Sequence, residues 1–546
     1  MKRKLKIGAL ALLIIATAAF TRPGERYFEI AKSIDIFSTL FKEVNSYYVD
    51  EIDPEKLVNT GIGGMLESLD PYTDFIPEES MEAFSIQTTG QYAGIGALVG
   101  LVNKRTVITH PYEGFAAYRA GLRVGDEFIS VDGKDVKGKP TSEVSEKLKG
   151  KAFTEVEVVV RRNGKDLTFK LTREKIKISN VVYQGIIAPG IGYIKLDDFT
   201  PGAAKEVEEA LVQLKKQGAE RLILDLRDNP GGLLYEAVNI VNLFVPVGKE
   251  VVSTRGKVQE WNKTYSTLNN AVDTGIPLVV LTSGGSASAS EIVAGSLQDY
   301  DRAVLVGQKT FGKGLVQVTR PLSYNTQLKV TTAKYYIPSG RCIQAIDYSH
   351  RKGDGTVEKV ADSLKSSFKT KSGRKVFDGG GLDPDILVKE EHPGSVVVTL
   401  ARTGYLFDFA TKYCNEHTTP ADIRNFRLSD TDYGQFSQWL QDQNFTFSTQ
   451  LEKVTRDFEE AASKEPNHTE LQKGIDQIRA TIKDNKANYM TKFRSEIQPI
   501  LESEIGFHYM LNKGRVESSL DHDFEVKEAV KILNNLQAYQ KLLLPH

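Results

Sequence analysis

The sequence predicts a multidomain α/β protein, and three observations carry that prediction. Its 546 residues, at roughly 150 per domain, allow about three or four domains. Strand-like and helix-like segments alternate from residue 174 to 390, the order that builds a sheet with helices on its faces. The flanks differ: residues 83–173 hold short strand-like runs and glycine turns, and residues 391–546 are helical and charge-rich.

Composition excludes several function classes. Lys+Arg number 70 against 71 Asp+Glu, a net charge of −1, so no basic excess exists to displace phosphate counterions and no nucleic-acid partner is expected. A hydrophobic share of 40% with 26% charged residues is globular. Two cysteines, Cys342 and Cys414, exclude a disulfide scaffold and a multi-thiolate zinc centre, though their spacing does not decide whether they pair. None of the eight His stands at metal-ligand spacing from another, so no metal centre is expected.

The first segment, residues 1–21, reads as a signal peptide or N-terminal anchor. Lys2, Arg3, Lys4 and Lys6 precede an apolar stretch over 7–20, Ala16-Thr17-Ala18 offers a small-x-small cleavage site, and Arg22-Pro23 follows. The stretch is short for a bilayer span of about 20 residues. Export to the periplasm or cell envelope is the expectation, with the protein soluble or tethered to the membrane by this segment. Residues 24–82 then read as helical, with runs from Ile34 to Tyr48 and from Pro54 to Leu69, the second opened by Asp53 as N-cap.

Residues 83–173 begin with a loop, Tyr92-Ala93-Gly94-Ile95-Gly96, followed by strands from Ala97 to Val102 and Glu127 to Val131. A short helix spans Thr141 to Lys149. Strands from Val156 to Arg162 and Lys165 to Leu171 flank Asn163-Gly164, residues that a type I′ turn prefers. Gly94-Ile95-Gly96 fails the dinucleotide fingerprint, because Val99 stands where the third glycine belongs. The ordered set resembles a PDZ domain. That resemblance implies that the Gly94, Ile95 and Gly96 amides receive a peptide carboxylate, while Val144 and Leu148 line an apolar side-chain pocket. Without it, the residues describe only a small β-rich domain.

From 174 to 390 the expected strands are Ile191 to Leu196, Arg221 to Leu226, Leu278 to Thr282 and Ala303 to Val306. The helices are Ala203 to Lys216, Leu233 to Leu243 and Ala289 to Leu297. A Lys-rich stretch between Gln344 and Gly381 reads as a surface insertion. The helical domain from 391 carries no chemical motif. Its position suggests a regulatory, dimerising or docking role, with an adaptor protein or a second copy as partner.

The chemistry concentrates where strands give way to helices. In Thr282 to Asp299 a buried strand ends, Gly284-Gly285 turns the chain, and a helix begins, the elbow that exposes a serine beside free helix-N-terminal amides. Ser286, Ser288 and Ser290 compete. Ser288, immediately before the helix, is favoured, against the plain alternative of an N-cap serine. The helix dipole accounts for Glu291. No His lies near in sequence, which leaves His110 or His350 as distant bases, or Lys313 in Thr310-Phe311-Gly312-Lys313-Gly314. Lowering a lysine from about 10.4 toward 7 costs roughly 4 kcal/mol, which burial can supply. Gly307 to Lys313 fits the first seven positions of a P-loop, but Gly314 stands where Ser or Thr should hold magnesium, and strand follows instead of helix. A second Gly-rich strand end is Asp225-Leu226-Arg227-Asp228-Asn229-Pro230-Gly231-Gly232.

Together these segments resemble the carboxyl-terminal processing (tail-specific) proteases, serine endopeptidases with a Ser–Lys dyad. The matches also include Ser68-Leu69-Asp70-Pro71, Thr331-Thr332-Ala333-Lys334-Tyr335-Tyr336 and Gly381-Leu382-Asp383-Pro384-Asp385. The resemblance implies an α/β peptidase core with an inserted PDZ domain and no cofactor. It makes Ser288 the nucleophile, Lys313 the general base and Gln317 the residue that orients it. Oxyanion stabilisation falls to the backbone amides of Ala289 and of Gly231 or Gly232. Substrates would be protein or peptide C-terminal tails held by the PDZ domain. Competing readings are a catalytically silent PDZ scaffold of the cell envelope, a binding module for apolar ligands and a serine hydrolase with a distant His.

Overall fold

The computed structural model of the chain describes residues 27–348, 356–357, 359–389, 393–465 and 468–545. The expected leader at 1–21 and His350 lie outside the described residues. Among the described residues, no helix is long and apolar enough to cross a membrane.

The catalytic-looking segments sit on one six-stranded sheet. Its order is Val181–Ala188, Ile191–Leu196, Arg221–Asp225, Leu278–Thr282, Val304–Gly307 and Ile386–Leu387. The first pair is antiparallel and all later pairs are parallel. The near-continuous apolar strands signal burial on both faces. On one face Ile194, Leu196, Leu222, Leu224 and Val280 pack against the helices Ala203–Lys216, Leu234–Phe244 and Ala289–Asp299.

The other face is covered from far along the chain. Tyr193, Ile223, Val279, Leu281 and Val306 pack against Val526, Ala529, Ile532, Leu533 and Tyr539. The helices Phe524–Asn534 and Leu536–Leu542 therefore complete the sandwich, although their sequence reads as the end of the helical domain that starts near 391. Arg227 fixes the junction. Its guanidinium lies 2.7 Å from Asp225, 2.7 Å from Asp523 and 2.9 Å from Glu525. The remaining C-terminal helices form their own core around Leu400, Phe409, Phe436, Leu440 and Leu501.

The β-rich domain is an insertion whose ends meet. Gln91–Gly94, which reads as loop, is a strand paired antiparallel with Glu174–Lys177, so the entering and leaving chains run side by side. Between them lies a sheet ordered Ala97–Val102, Arg105–Pro111, Glu127–Val131, Glu155–Arg162 and Lys165–Thr172. Asn163 and Gly164 take positive φ of 49° and 73°, as a type I′ turn demands. The domain leans on the C-terminal helices through Arg105 and Asp408, 2.5 Å apart, and through Val124 against Phe507 and Leu511.

Before the insertion, residues 27–47 and Pro54–Glu67 are helical. The Asp53 carboxylate accepts the Glu55 and Lys56 N–H groups. Asp74–Ile76 then joins a second sheet built on the long strand Gln327–Tyr336, whose other edge carries Leu315–Pro321. Both cysteines are free thiols, so Cys342 and Cys414 do not pair.

Leu533 is fully buried against the sheet. Leu533→Ala is expected to lower the unfolding free energy by about 2–5 kcal/mol. Urea denaturation checks this; an unchanged midpoint would mean that the last helices do not cover the core.

Candidate active site

Ser288 stands where the Leu278–Thr282 strand hands over to the Ala289–Asp299 helix, with φ 55° and ψ −112°. A serine rarely holds positive φ, and such strain, of order 1–3 kcal/mol, persists only where the surroundings enforce it. Gly231 enforces it from the next strand end: a Cβ there would sit 2.6 Å from the Ala287 carbonyl and 2.7 Å from the Ala289 nitrogen. The three serines separate clearly. Ser286 Oγ donates to the Leu226 carbonyl at 2.7 Å and Ser290 Oγ to the Asn229 carbonyl at 2.9 Å, and both are buried. Ser288 is half-buried and lines a cavity.

That cavity, about 410 Å³, brings together Ser288, Ala289, Gly231, Gly232, Lys313 and Gln317, all six catalytic and oxyanion candidates. Phe199, Ile292, Leu315 and Tyr335 supply apolar wall. Phe84 and Gln87 close it from the Met81–Thr89 helix, whose Glu82 pairs with Lys149 of the inserted domain at 3.2 Å. The Gly231 N–H donates to Asn229 Oδ1 at 2.9 Å. The Gly232 and Ala289 amides, which also line the cavity, donate no hydrogen bond among the described residues.

Lys313 is half-buried. Burial, then the charge of Lys329, lowers its pKa, against the opposing pull of Glu291 and Asp70. Its ammonium lies 4.6 Å above the centre of the Tyr72 ring, and no hydrogen bond joins it to Ser288 among the described residues. Gln317 faces elsewhere too: its Nε2 donates to Thr331 Oγ1 at 3.2 Å, so it does not orient the lysine in this arrangement.

Sequence reading missed what ties these parts together. The Glu291 carboxylate, fully buried, accepts four hydrogen bonds. Oε1 takes Thr310 Oγ1 at 2.6 Å and the Gly312 N–H at 2.8 Å, while Oε2 takes the N–H groups of Ser288 and Lys313, each at 2.9 Å. A dipole explanation is therefore insufficient: Glu291 joins the serine elbow to the lysine loop. The buried Tyr335 hydroxyl bonds both the Ser288 carbonyl, at 3.1 Å, and the Lys313 carbonyl. The spacing Ser288-x-x-Glu291, half of a capping box, was the available signal.

The peptide-carboxylate candidates lie in the inserted domain, outside this cavity. Gly94 pairs with Glu174, the Ile95 carbonyl accepts the Ala117 N–H, and the Gly96 carbonyl accepts the Tyr112 N–H. Val144 and Leu148 are 0% and 3% exposed and belong to the domain core with Ile95 and Phe128, so they do not line an open pocket. His110 is half-buried, edge-on to Phe507, with desolvation pushing its pKa down to about 4, and no His lines the cavity among the described residues. Among those residues no group of His, Cys, Asp and Glu could hold a metal ion.

Comparison with known proteins gives three family matches: peptidase family S41 over residues 190–349, a PDZ domain over 107–162, and a "probable PDZ-protease, C-terminal helical domain" over 396–533. A carboxy-terminal-processing protease of Bartonella bacilliformis is 36% identical over 342 residues, 62% of this chain and 78% of that protein. A probable CtpA-like serine protease of Staphylococcus aureus is 35% identical over 382 residues, 69% of this chain and 74% of that protein. Among solved structures, a photosystem II D1 C-terminal processing protease is 30% identical, with TM-score 0.34, covering 65% of this chain and 92% of its own.

Folding lifts the Glu291 carboxyl from 4.5 to about 7, because burial outweighs its four hydrogen bonds. Between those values the native state binds a proton that the unfolded chain has released, so this contribution to stability is complete below 4.5 and lost as pH rises through about 7. Thermal melts from about pH 5 to pH 8 should show a decline in the wild type that Glu291→Gln lacks. Parallel profiles would refute the shift. The same variant, misplacing Ser288 against Lys313, is expected to lose on the order of 10²-fold in kcat.

Proposed function

This chain belongs to peptidase family S41 as a PDZ-containing, serine-type carboxyl-terminal processing protease, and from that premise we propose that Ser288 and Lys313 form its catalytic dyad. The observation that carries this reading is the meeting, in one cavity, of a serine at a strained helix entry with a half-buried lysine.

In the proposed cycle the Lys313 side chain swings from Tyr72 toward Ser288. Neutral Lys313 takes the Ser288 Oγ proton as Oγ attacks a peptide carbonyl, and the oxyanion is received by the Ala289 and Gly232 amides. Lysinium protonates the leaving amine. Water, deprotonated by Lys313, then releases the acyl-enzyme. Lowered lysine basicity suits this role, since a base works best with a pKa near the working pH. Gln317, once released from Thr331, would steady the lysine.

Substrates are proposed to be protein tails, held by the inserted domain through the amides around Gly94 to Gly96. The closed packing of Val144 and Leu148 implies that their helix shifts to admit a side chain. Export, with the first segment removed or kept as a tether, belongs to the same proposal; sequencing the N-terminus of envelope-recovered protein checks it. An adaptor or a second copy would engage the helical extensions.

Residues 22–546 should be incubated with a flexible, apolar-ended protein, and the products read by mass spectrometry. Wild type is expected to cleave it, while Ser288→Ala and Lys313→Ala should not. Ser286→Ala and Ser290→Ala should keep the chemistry but each lose about 1 kcal/mol or more of stability, through a deleted buried hydrogen bond. Equal cleavage by all five would sink the dyad. Silence from all would favour the scaffold reading or an enzyme awaiting a partner.

A further inference from the structure

We propose that Tyr72 is a positioning residue for Lys313: its ring holds the protonated lysine, and the turn that carries it sets where both Lys313 and Gln317 rest. The idea deepens the reading of Lys313 as general base and rests on it.

The turn is rigid and reaches both side chains. The Tyr72 and Thr73 N–H groups each donate to Asp70 Oδ1 at 2.8 Å, and Thr73 Oγ1 donates to Asp70 Oδ2 at 3.0 Å. Asp70 and Thr73 are buried. From this frame Thr73 Oγ1 accepts the Thr331 N–H at 3.2 Å, and Thr331 Oγ1 in turn accepts the Gln317 amide at 3.2 Å. The neighbouring Tyr72 ring lies beneath Lys313 at 4.6 Å and is itself flanked edge-on by Tyr348, with centroids 6.1 Å apart. One turn from the N-terminal segment thus holds the proposed base directly and its orienting residue through one threonine.

The chemistry of the contact has a sign. An aromatic face attracts an ammonium and has no comparable attraction for a neutral amine. Tyr72 therefore favours the charged form of Lys313, the form that must protonate the leaving amine. Asp70 from the same turn and Glu291 from the Ala289–Asp299 helix act in the same direction, whereas burial and Lys329 of the Gln327–Tyr336 strand act against it. Tyr72 stays a neutral phenol, its pKa raised by burial and by Tyr348. Removing the ring should make Lys313 easier to deprotonate.

The test uses the full chain as wild type, Tyr72→Phe and Tyr72→Leu. Competitive acylation of the Lys313 amine across pH, read by peptide mass spectrometry, reports its protonation without reference to turnover. The acid limb of kcat/KM against pH reports it through catalysis. Tyr72→Leu is expected to move both to lower pH by about half a unit or more, and Tyr72→Phe should leave both in place. An unchanged labelling profile in a folded Tyr72→Leu would overturn the proposal. A labelling shift without a kinetic shift would keep Tyr72's hold on the lysine and remove Lys313 from the role of base. Should Tyr72→Leu fail to fold, replacing Tyr72 by pentafluorophenylalanine keeps the ring and reverses its quadrupole. The same downward shift is then expected, and its absence is decisive against the proposal.

Discussion

The site depends on one buried carboxylate. Ser288 and Lys313 sit on different loops, one entering a helix and one leaving the Val304–Gly307 strand, and nothing in local chain geometry fixes their separation. Glu291 does so by taking their backbone N–H groups on the same oxygen, with Thr310 and Gly312 on the other. A neutral amide in that place would present two donors of its own to four donors, and buried donors without acceptors cost about 1–3 kcal/mol each. Only the ionised carboxylate can accept all four hydrogen bonds, and burial works against that charge.

What holds Glu291 is the sandwich around it. The Ala289–Asp299 helix is buried along its whole length, so its first turn cannot drift relative to the strand ends. Ile337 and Leu382 close over it on its own side of the sheet, and the opposite face is covered by helices some 300 residues downstream of Arg227, latched by Asp523 and Glu525. The helical extension is accordingly both a separate core and part of the catalytic scaffold. The inserted domain is hung differently, on the ribbon of Gln91–Gly94 with Glu174–Lys177, and it touches the cavity wall through Lys149 and Glu82.

Local physics was readable in the sequence and long-range hydrogen bonding was not. Ile191–Leu196, Ala203–Lys216 and Leu278–Thr282 stand where apolar spacing puts them, because each is set by its own periodicity. Ser288 could be favoured from its place before a helix. The fate of Ser286 and Ser290 could not be read, since their acceptors lie 60 and 61 residues away. Gln91–Gly94 looks like loop because its glycine and polar residues carry no alternation, and its strand partner comes 80 residues later, across a whole domain. Val144 and Leu148 show the limit in another form: apolar residues at i and i+4 look the same whether they face a core or a groove. Tyr72 and Tyr335 carried no signal of their own.

Lys313 brings these threads to a single balance. To act as a base near neutrality it must give up most of roughly 4 kcal/mol of preference for the charged state. Burial and Lys329 push it that way, and Glu291, Asp70 and the Tyr72 face restrain it. Burial is already the largest of these influences, and the cavity beside the lysine is open enough to hold water. A peptide that filled the cavity would expel that water, raising the desolvation penalty on the ammonium and also the pull of Glu291, Asp70 and the Tyr72 face. Five side chains, Lys313, Lys329, Glu291, Asp70 and Tyr72, therefore set the balance between charged and neutral lysine.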